Sequence, residues 1–190
     1  LITVLSVMNG FDQQIRDKFF AITPAVTVET EKNIEKTWEK VLATVDVIPE
    51  VANAAPYVSG NGMILKGRRF DGVSLMGILP KEEERVSQLN KHMVLGKLSS
   101  LQSGQFNAVI GQSLAESLNV TVGDQINVLT PQTNVTLLGI FPRYKTFRVS
   151  GIYHTTGGLY DNGVLFINMH DAEKLFLLGS RVSGIHMRLH

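Results

Sequence analysis

The chain has 190 residues, of which 44% are apolar and 18% are charged, and its net charge is +1. These values are typical of a globular protein with a hydrophobic core, organised as one large domain or two small ones. The near-neutral charge argues against nucleic-acid binding, and the absence of cysteine excludes disulfides, thiolate metal sites and cysteine nucleophiles.

The chain begins with an apolar stretch. Residues 1–8, LITVLSVM, are too few to span a bilayer, which takes about 20 residues, and they lack the basic front of a signal peptide. At this point two interpretations are open: the end of a transmembrane helix, or a buried N-terminal helix. Apolar residues then recur at helical spacing over residues 5–22, and the predicted helix ends before Pro24.

The next part of the chain mixes strands and a helix. Residues 25–30 alternate like a strand, and residues 33–45 predict an amphipathic helix with Trp38 as a core anchor. Residues 51–80 are rich in strand patterns, and Asn61-Gly62 between two alternating runs predicts a hairpin turn. The polar stretch 81–96 is interpreted as a connection between lobes, with its charge run on a solvated face.

Residues 106–153 have a different character. FNAVIG predicts a strand, and Ser113 followed by Glu116 predicts a capping box for a short helix that ends near Asn119. After a Gly123-Asp124 turn comes a strand whose expected antiparallel partner is KTFRVSGIY. The intervening segment NVTLLGIFPRYKTF, residues 134–147, is therefore predicted to form the tip of a long hairpin.

The chain ends with a strand, a helix and a strand. NGVLFIN predicts the first strand, Asn168 is the expected cap of the helix NMHDAEKLFLL, with Asp171 in its first turn, and VSGIHMRLH predicts the last strand. Helices and strands alternate without a doubly wound signature. The predicted fold class is therefore α+β with two lobes.

Catalytic and metal-binding patterns are missing from the sequence. There is no GxxxxGK[ST] loop, HExxH motif or GxSxG elbow, and no cofactor is predicted. His186 and His190 would lie about 13 Å apart on one strand face, too far to form a metal site by themselves. His92, His154 and His170 are isolated in sequence. A non-catalytic role is expected; a hydrolase would reveal itself by turnover lost on substitution of one serine or histidine.

The predicted hairpin tip is the strongest candidate for a function. Its apolar residues stand beside a proline, a tyrosine and two cations, a composition typical of a protein-binding hot spot. The alternative is that these residues fold back on their own lobe. The candidate residues in this stretch are Val135, Leu137, Leu138, Ile140, Phe141, Pro142, Arg143, Tyr144 and Lys145.

Four stretches resemble one family. LITVLSVMNGF, IGQSLAESLNVTVGDQINV, PRYKTFRVSGIY and INMHDAEKLFLLGSRVSGIHMRL are similar in order to the LolC/LolE family, the membrane subunits of the lipoprotein-releasing ABC transporter of Gram-negative bacteria. The resemblance implies that the chain is a domain on the periplasmic side of the inner membrane. It also implies that residues 1–8 are the end of the first transmembrane helix.

The resemblance implies a MacB-like architecture. Residues 1–98 and 161–190 would form a discontinuous Porter lobe, and residues 99–160 an inserted β-rich Sabre lobe. The implied partners are the periplasmic chaperone LolA, the ATPase subunit LolD, a second membrane subunit in a homo- or heterodimer, and the lipoprotein cargo.

The resemblance also assigns residues to the chaperone contact. A hairpin called the Hook would run from about Pro131 to Pro142. Tyr144 and Lys145 fall where LolC has a Gln-Arg pair in a second contact, the Pad, and Asn127 falls where the Pad has an arginine. Asn127 and Leu137, which stands where the family often has proline, are departures from the pattern.

The end of the chain is closer to LolE. GSRVSGI is the LolE-like stretch, and together with a Hook it suggests a hybrid, LolF-type subunit that pairs with itself. The alternative function is a MacB-like or FtsX-like coupling domain that transmits motion to a different periplasmic partner. Those relatives should lack the hairpin insert.

Overall fold

The computed structural model describes residues 25–34, 38–45, 47–155, 163–179 and 181–189. The predicted helix over 5–22, the apolar stretch 1–8 and His190 lie outside these ranges. Within them no helix has the length and apolar character needed to cross a membrane.

The described residues contain four α-helices and nine strands. The helices are α1 (Trp38–Val45), α2 (Pro80–Val86), α3 (Gln112–Leu118) and α4 (Met169–Phe176). The strands are β1 (Ala25–Ile34), β2 (Val51–Lys66), β3 (Arg69–Ile78), β4 (Met93–Gly96), β5 (Asn107–Gly111), β6 (Gln125–Thr136), β7 (Gly139–Tyr153), β8 (Val164–Asn168) and β9 (Val182–Leu189). This mixture of helices and strands agrees with the predicted α+β class.

All nine strands join in one sheet. The order is β1-β9-β2-β3-β8-β5-β7-β4, and β6 pairs with both β2 and β7. The β3–β8 and β5–β7 pairs are parallel, and the other pairs are antiparallel. Strands from the segments 1–98, 99–160 and 161–190 are thus hydrogen-bonded to one another. The division into Porter and Sabre lobes at these boundaries stays a prediction.

The sheet separates two main groups of buried side chains. On one face, which we call the helical face, α3 and α4 pack on residues such as Ile64, Val128 and Phe147. On the opposite face a smaller core surrounds Tyr57 and Tyr153. The strand period of two sends alternate side chains of each strand to these two faces.

The predicted turn at Asn61-Gly62 is wrong. Strand β2 runs through both residues, which pair with Ser74 and Val73 of β3, and the chain turns after Lys66 at Gly67, whose φ is +60°. Gly62 serves close packing instead. A Cβ at this position would lie 2.6 Å from the carbonyl oxygen of Leu129 on β6, so glycine is needed where β6 approaches β2.

The predicted capping box is also wrong. Helix α3 begins at Gln112, with Gly111 at the N-cap and no capping side chain, so Ser113 lies inside the helix. Strand β5 continues to Gly111, which pairs with Tyr153, and the helix starts at the next residue. Gly111, and not Ser113, therefore takes the N-cap position. Glu116 accepts a hydrogen bond from Gln112, 3.0 Å away. The predicted end is confirmed, since Asn119 caps the helix in the left-handed conformation.

Two helix starts and one core residue can also be compared with prediction. The helix expected from residue 33 begins at Trp38, because Ile34 still pairs with Val182 in the sheet. Trp38 is half-buried and packs against the core, as expected for an anchor. Asn168 caps α4 by accepting from the backbone N–H of His170, as predicted.

The charge run in 81–96 is not wholly solvated. Glu83, in α2, is 1% exposed, and its Oε2 lies 3.5 Å from Nδ1 of His186 on β9. The imidazole of His186 also stacks on the ring of Tyr57, with 4.1 Å between centroids. The buried pair joins α2 to the sheet, so Glu83 is a structural residue of the core and not of a solvated face.

Candidate partner-binding hairpin

Strands β6 and β7 form a long hairpin, as predicted, but its tip is residues 137–138 and not the whole of 134–147, because the strands continue through the rest of that segment. They pair antiparallel from Gln125↔Arg148 to Thr136↔Gly139. Leu137 and Leu138 make the turn, and both are almost wholly exposed, at 107% and 90%. Gly139 has φ +134°, a value that side-chain-bearing residues rarely adopt, which favours glycine directly after the turn.

The hairpin has a base held in the sheet and a free outer part. At the base, β2 pairs with β6 over residues 127–129, and β5 pairs with β7 from Arg148 onward. Beyond the Thr130↔Arg143 pair, the two strands have no other strand neighbour among the described residues. We call residues 131–142 the ribbon.

Two prolines mark the ribbon. Pro131 lies with Gln132 in a bulge, because Thr130 pairs with Arg143 and the next pair is Thr133↔Pro142. Pro142 lies within β7 and not at its end; it is tolerated there because a two-stranded ribbon has open edges that need no further donor. The two prolines also lower the chance of uncontrolled edge pairing.

The residues predicted for the second contact split between the two faces of the sheet. Tyr144 and Lys145 are neighbours on a strand and so point to opposite faces. Tyr144 pairs with Leu129 and Lys145 with Val128, and Val128 belongs to the helical-face core. Asn127 lies on the same face as Tyr144. The structure therefore brings Asn127 and Tyr144 together and separates Lys145 from them.

Asn127 has an internal partner at the base of the hairpin. It pairs with Thr146 in the strand register, and its Oδ1 accepts a hydrogen bond of 2.8 Å from the Thr146 hydroxyl. An arginine at this place would project a cation; asparagine instead joins the two strands through its side chain.

The face that carries Tyr144 has an apolar surface that the sequence interpretation missed. The register places five side chains in adjacent positions across four strands, since Leu65 pairs with Phe70 and Met63 with Leu129. Phe70 and Tyr144 are each 68% exposed, and Met63 is 41% exposed. We call this set the outer stripe; its members are Met63, Leu65, Phe70, Leu129 and Tyr144.

The two cations on the helical face have partners within the chain. The ammonium of Lys145 lies 4.1 Å from the centroid of the Phe106 ring. The guanidinium of Arg143 donates a 3.2 Å hydrogen bond to the carbonyl oxygen of Lys174 in the last turn of α4. For Val135, Ile140 and Phe141, the register places the backbone in the ribbon, and their side chains lie outside what is described.

The other candidate residues do not form a reactive centre in the described ranges. His92 lies in a short 3₁₀ turn, His154 is exposed after β7, and His170 is 3.1 Å from Glu173 in the next turn of its own helix. No group of three histidine, aspartate or glutamate residues in those ranges could hold a metal ion. The hairpin and the outer stripe are thus the features with the composition of a binding site.

Comparison with known proteins places this geometry in a family. The family model of the MacB-like periplasmic core domain matches residues 1–190. Two solved structures share the fold: the extracellular domain of the transporter YknZ (TM-score 0.56, 10% identity, 87% of this chain and 82% of that one) and the periplasmic region of MacB from Actinobacillus actinomycetemcomitans (TM-score 0.55, 14% identity, 85% and 66%).

Several curated relatives are transmembrane proteins of one transport system. The chain is 36% identical over 190 residues to the lipoprotein-releasing system transmembrane protein LolC of Xylella fastidiosa and 36% identical over 191 residues to LolC of Neisseria meningitidis. It is 23% identical over 194 residues to LolE of Haemophilus influenzae. In each case the match takes in the whole chain and 46% of the relative, so the chain spans about half the length of these proteins. The chain therefore belongs to the MacB-like periplasmic core domain family, with LolC and LolE proteins of the lipoprotein-releasing system as its relatives.

Proposed function

We propose that the chain is the periplasmic domain of a lipoprotein-releasing ABC transporter subunit and recruits the chaperone LolA through the β6–β7 hairpin. The observation that carries this proposal is the ribbon, which holds two exposed leucines at its turn, clear of the sheet. Adjacent exposed leucines at the end of a projecting element are typical of docking sites. Elsewhere, exposed apolar patches promote aggregation.

The energetics favour an apolar partner site. Removing each leucine side chain from water on binding contributes about 1.5–3 kcal/mol, so Leu137 and Leu138 together could supply about 3–6 kcal/mol. A LolA cavity that accepts lipid-modified cargo would offer an apolar surface to such a tip. The hairpin is also held at its base on both edges, so little ordering of that part would oppose binding.

The outer stripe extends this surface. It begins at the second strand pair below the bulge, Leu129↔Tyr144, and continues across β2 to Phe70 on β3. A chaperone that encloses the ribbon from this side would meet the stripe next. Apolar and aromatic side chains at this position would add contact area to the tip.

The remaining assignments follow from the same proposal. The domain would lie on the periplasmic side of the inner membrane and be non-catalytic, with ATP hydrolysis in LolD. A second membrane subunit would complete the transporter and lipoprotein would be its cargo. The 99–160 segment would be the Sabre lobe, with the Hook at 131–142.

A second candidate is a mechanical coupling domain for another periplasmic partner. It is favoured by the shared fold with the YknZ and MacB domains, which covers 85–87% of this chain. In that case the ribbon would be dispensable for partner binding, whereas the first proposal makes it essential.

Site-specific photo-crosslinking to LolA separates the two candidates. A photoreactive residue at Leu137, Leu138 or Tyr144 should capture LolA, and one at Val47 or Leu177 should not, although these two side chains are also exposed and apolar. Crosslinks at the control positions alone, or none along the hairpin of a folded domain, would rule out the first proposal.

A further inference from the structure

Lys145 is directed away from the outer stripe and into contacts within the chain. Its register partner is the buried Val128, and Phe147, two residues along the strand, is fully buried. Its ammonium lies over the Phe106 ring at 4.1 Å from the centroid, within the range of about 6 Å for a cation–π interaction. A lysine held in this way has little freedom to meet a partner on the opposite face.

Phe106 is itself fixed between the sheet and α4. Its backbone N–H donates 3.1 Å to Asp171 of α4, and its carbonyl accepts 2.9 Å from the backbone of Arg148 on β7. Its ring meets the Phe147 ring edge-on, with 5.6 Å between centroids. The residue adopts φ +51°, an unusual conformation for an aromatic residue that persists only where neighbours enforce it.

Asp171 supplies much of that enforcement. It is fully buried in the first turn of α4, and its second carboxylate oxygen accepts 2.7 Å from the backbone N–H of Gly104. The loop before β5 is therefore tied to α4 by two charge-assisted hydrogen bonds, which are about twice as strong as neutral ones. These bonds present the Phe106 ring to the hairpin.

A second link joins the hairpin to the other end of α4. Arg143, on the same face as Lys145, donates to the carbonyl oxygen of Lys174, and cations are favoured at the C-terminal carbonyls of a helix. The ammonium of Lys174 lies 5.9 Å from the centroid of Phe106. Arg143 belongs to the last strand pair before the bulge at Pro131, and Lys145 lies two pairs below it, so both cations hold the hairpin where the support from the sheet ends.

We infer that Phe106, with Arg143 and Lys145, forms a clamp that sets the direction in which the ribbon leaves the sheet. In this assignment the two cations are positioning residues and not contacts for the partner. A two-stranded ribbon is marginally stable by itself, so its direction depends on the junction where it leaves the sheet. The clamp acts on capture only through the hairpin, so this part of the inference depends on the proposed function.

Distance measurements between spin labels test the clamp without any partner. The chain has no cysteine, so the pair Leu138→Cys and Glu116→Cys labels the ribbon and the exposed side of α3 alone. The parent should give one narrow distance distribution. Phe106→Leu and Lys145→Met should each broaden it or shift its mean by several ångströms. Lys145→Arg, which keeps a cation over the ring, should restore the parent distribution, and Lys91→Met, at an exposed lysine elsewhere, should leave it unchanged.

Capture rates connect the clamp to the proposed function. Lys145→Met should lower the association rate with LolA about two- to fivefold, the factor that matches the loss of an exposed cation–π contact, and Lys145→Arg should recover it. Slower capture with an unchanged distance distribution would make Lys145 a partner contact and overturn the inference. An unchanged distribution in both Phe106→Leu and Lys145→Met would overturn it as well. If Leu137→Asp left capture intact, the proposed function would fail, while the distance result would still decide the clamp.

Discussion

Replacing Gly62 by alanine tests why glycine occurs in the middle of β2. The added Cβ would lie 2.6 Å from the carbonyl oxygen of Leu129 and 2.6 Å from Cδ1 of Leu75, where ordinary contacts are at least about 3.4 Å. The leucine can rotate, but the carbonyl belongs to the β2–β6 pairing, which is only three residue pairs long. Relief therefore requires β6 to move away from β2.

The expected cost is that of overpacking a close contact, about 1–3 kcal/mol in the free energy of unfolding. For a domain of this size, that corresponds to a fall in melting temperature of about 2–12 °C. Urea denaturation measures the loss in the free energy of unfolding, and hydrogen exchange measures the local loosening of the hairpin base. Exchange should accelerate first at the amides of residues 127–129, because the base of the hairpin loosens before the rest of the sheet.

The chain contains a matched control. Gly72 lies on β3 one strand away, and a Cβ there would meet nothing within 4 Å. Gly72→Ala should be neutral or stabilising by up to about 1 kcal/mol, because alanine restricts the unfolded chain. Equal stability of Gly62→Ala and Gly72→Ala would refute the close-approach account, and so would faster exchange that spares β6.

Two further predictions concern the buried pair and the outer stripe. His186→Leu should destabilise the fold by about 3–5 kcal/mol, since Glu83 is left as an unpartnered buried carboxyl group, and the double variant Glu83→Leu/His186→Leu should recover most of the loss in urea denaturation. A double variant no more stable than the single one would contradict this. Phe70→Ser and Met63→Ser should each weaken LolA binding about five- to tenfold in titration calorimetry and change stability by less than about 0.5 kcal/mol, whereas Val47→Ser, at an exposed position elsewhere, should do neither. Equal effects from Val47→Ser would remove the stripe from the docking surface.

Local sequence signals were sufficient for the existence of the hairpin, though not for the bounds of its tip, and for α4. The segments that begin and end the hairpin, QINVLT and KTFRVSGIY, alternate like strands, and the Gly123-Asp124 turn marks where the first one begins. The Asn168 cap could be predicted from the sequence because an N-cap depends on the residues directly beside it. These signals depend on neighbours in sequence, so no tertiary knowledge was needed.

The sequence predictions were wrong at positions whose conformation or burial depends on residues far away in the chain. Asn61-Gly62 has the composition of a turn, but the approach of Leu129, more than sixty residues away, makes Gly62 a packing position. The burial of Glu83 depends on His186, over one hundred residues further on. The outer stripe exists only because register aligns residues from β2, β3, β6 and β7. The opposite directions of Tyr144 and Lys145 follow from the alternation of side chains along a strand. The sequence alone did not show this, because Pro142 argued against a strand at that point and the structure has β7 running through it.

The affinity of the chain for LolA, measured with and without the two leucines at the turn, tests the central claim most directly. Leu137→Asp/Leu138→Asp should weaken binding at least a hundredfold, because the loss of about 3 kcal/mol or more of apolar burial exceeds two factors of ten. The matched double variant Val47→Asp/Ile48→Asp changes two adjacent exposed apolar residues outside the hairpin and should bind LolA like the parent. Unchanged affinity of the turn variant, with the domain still folded, would contradict capture through the hairpin.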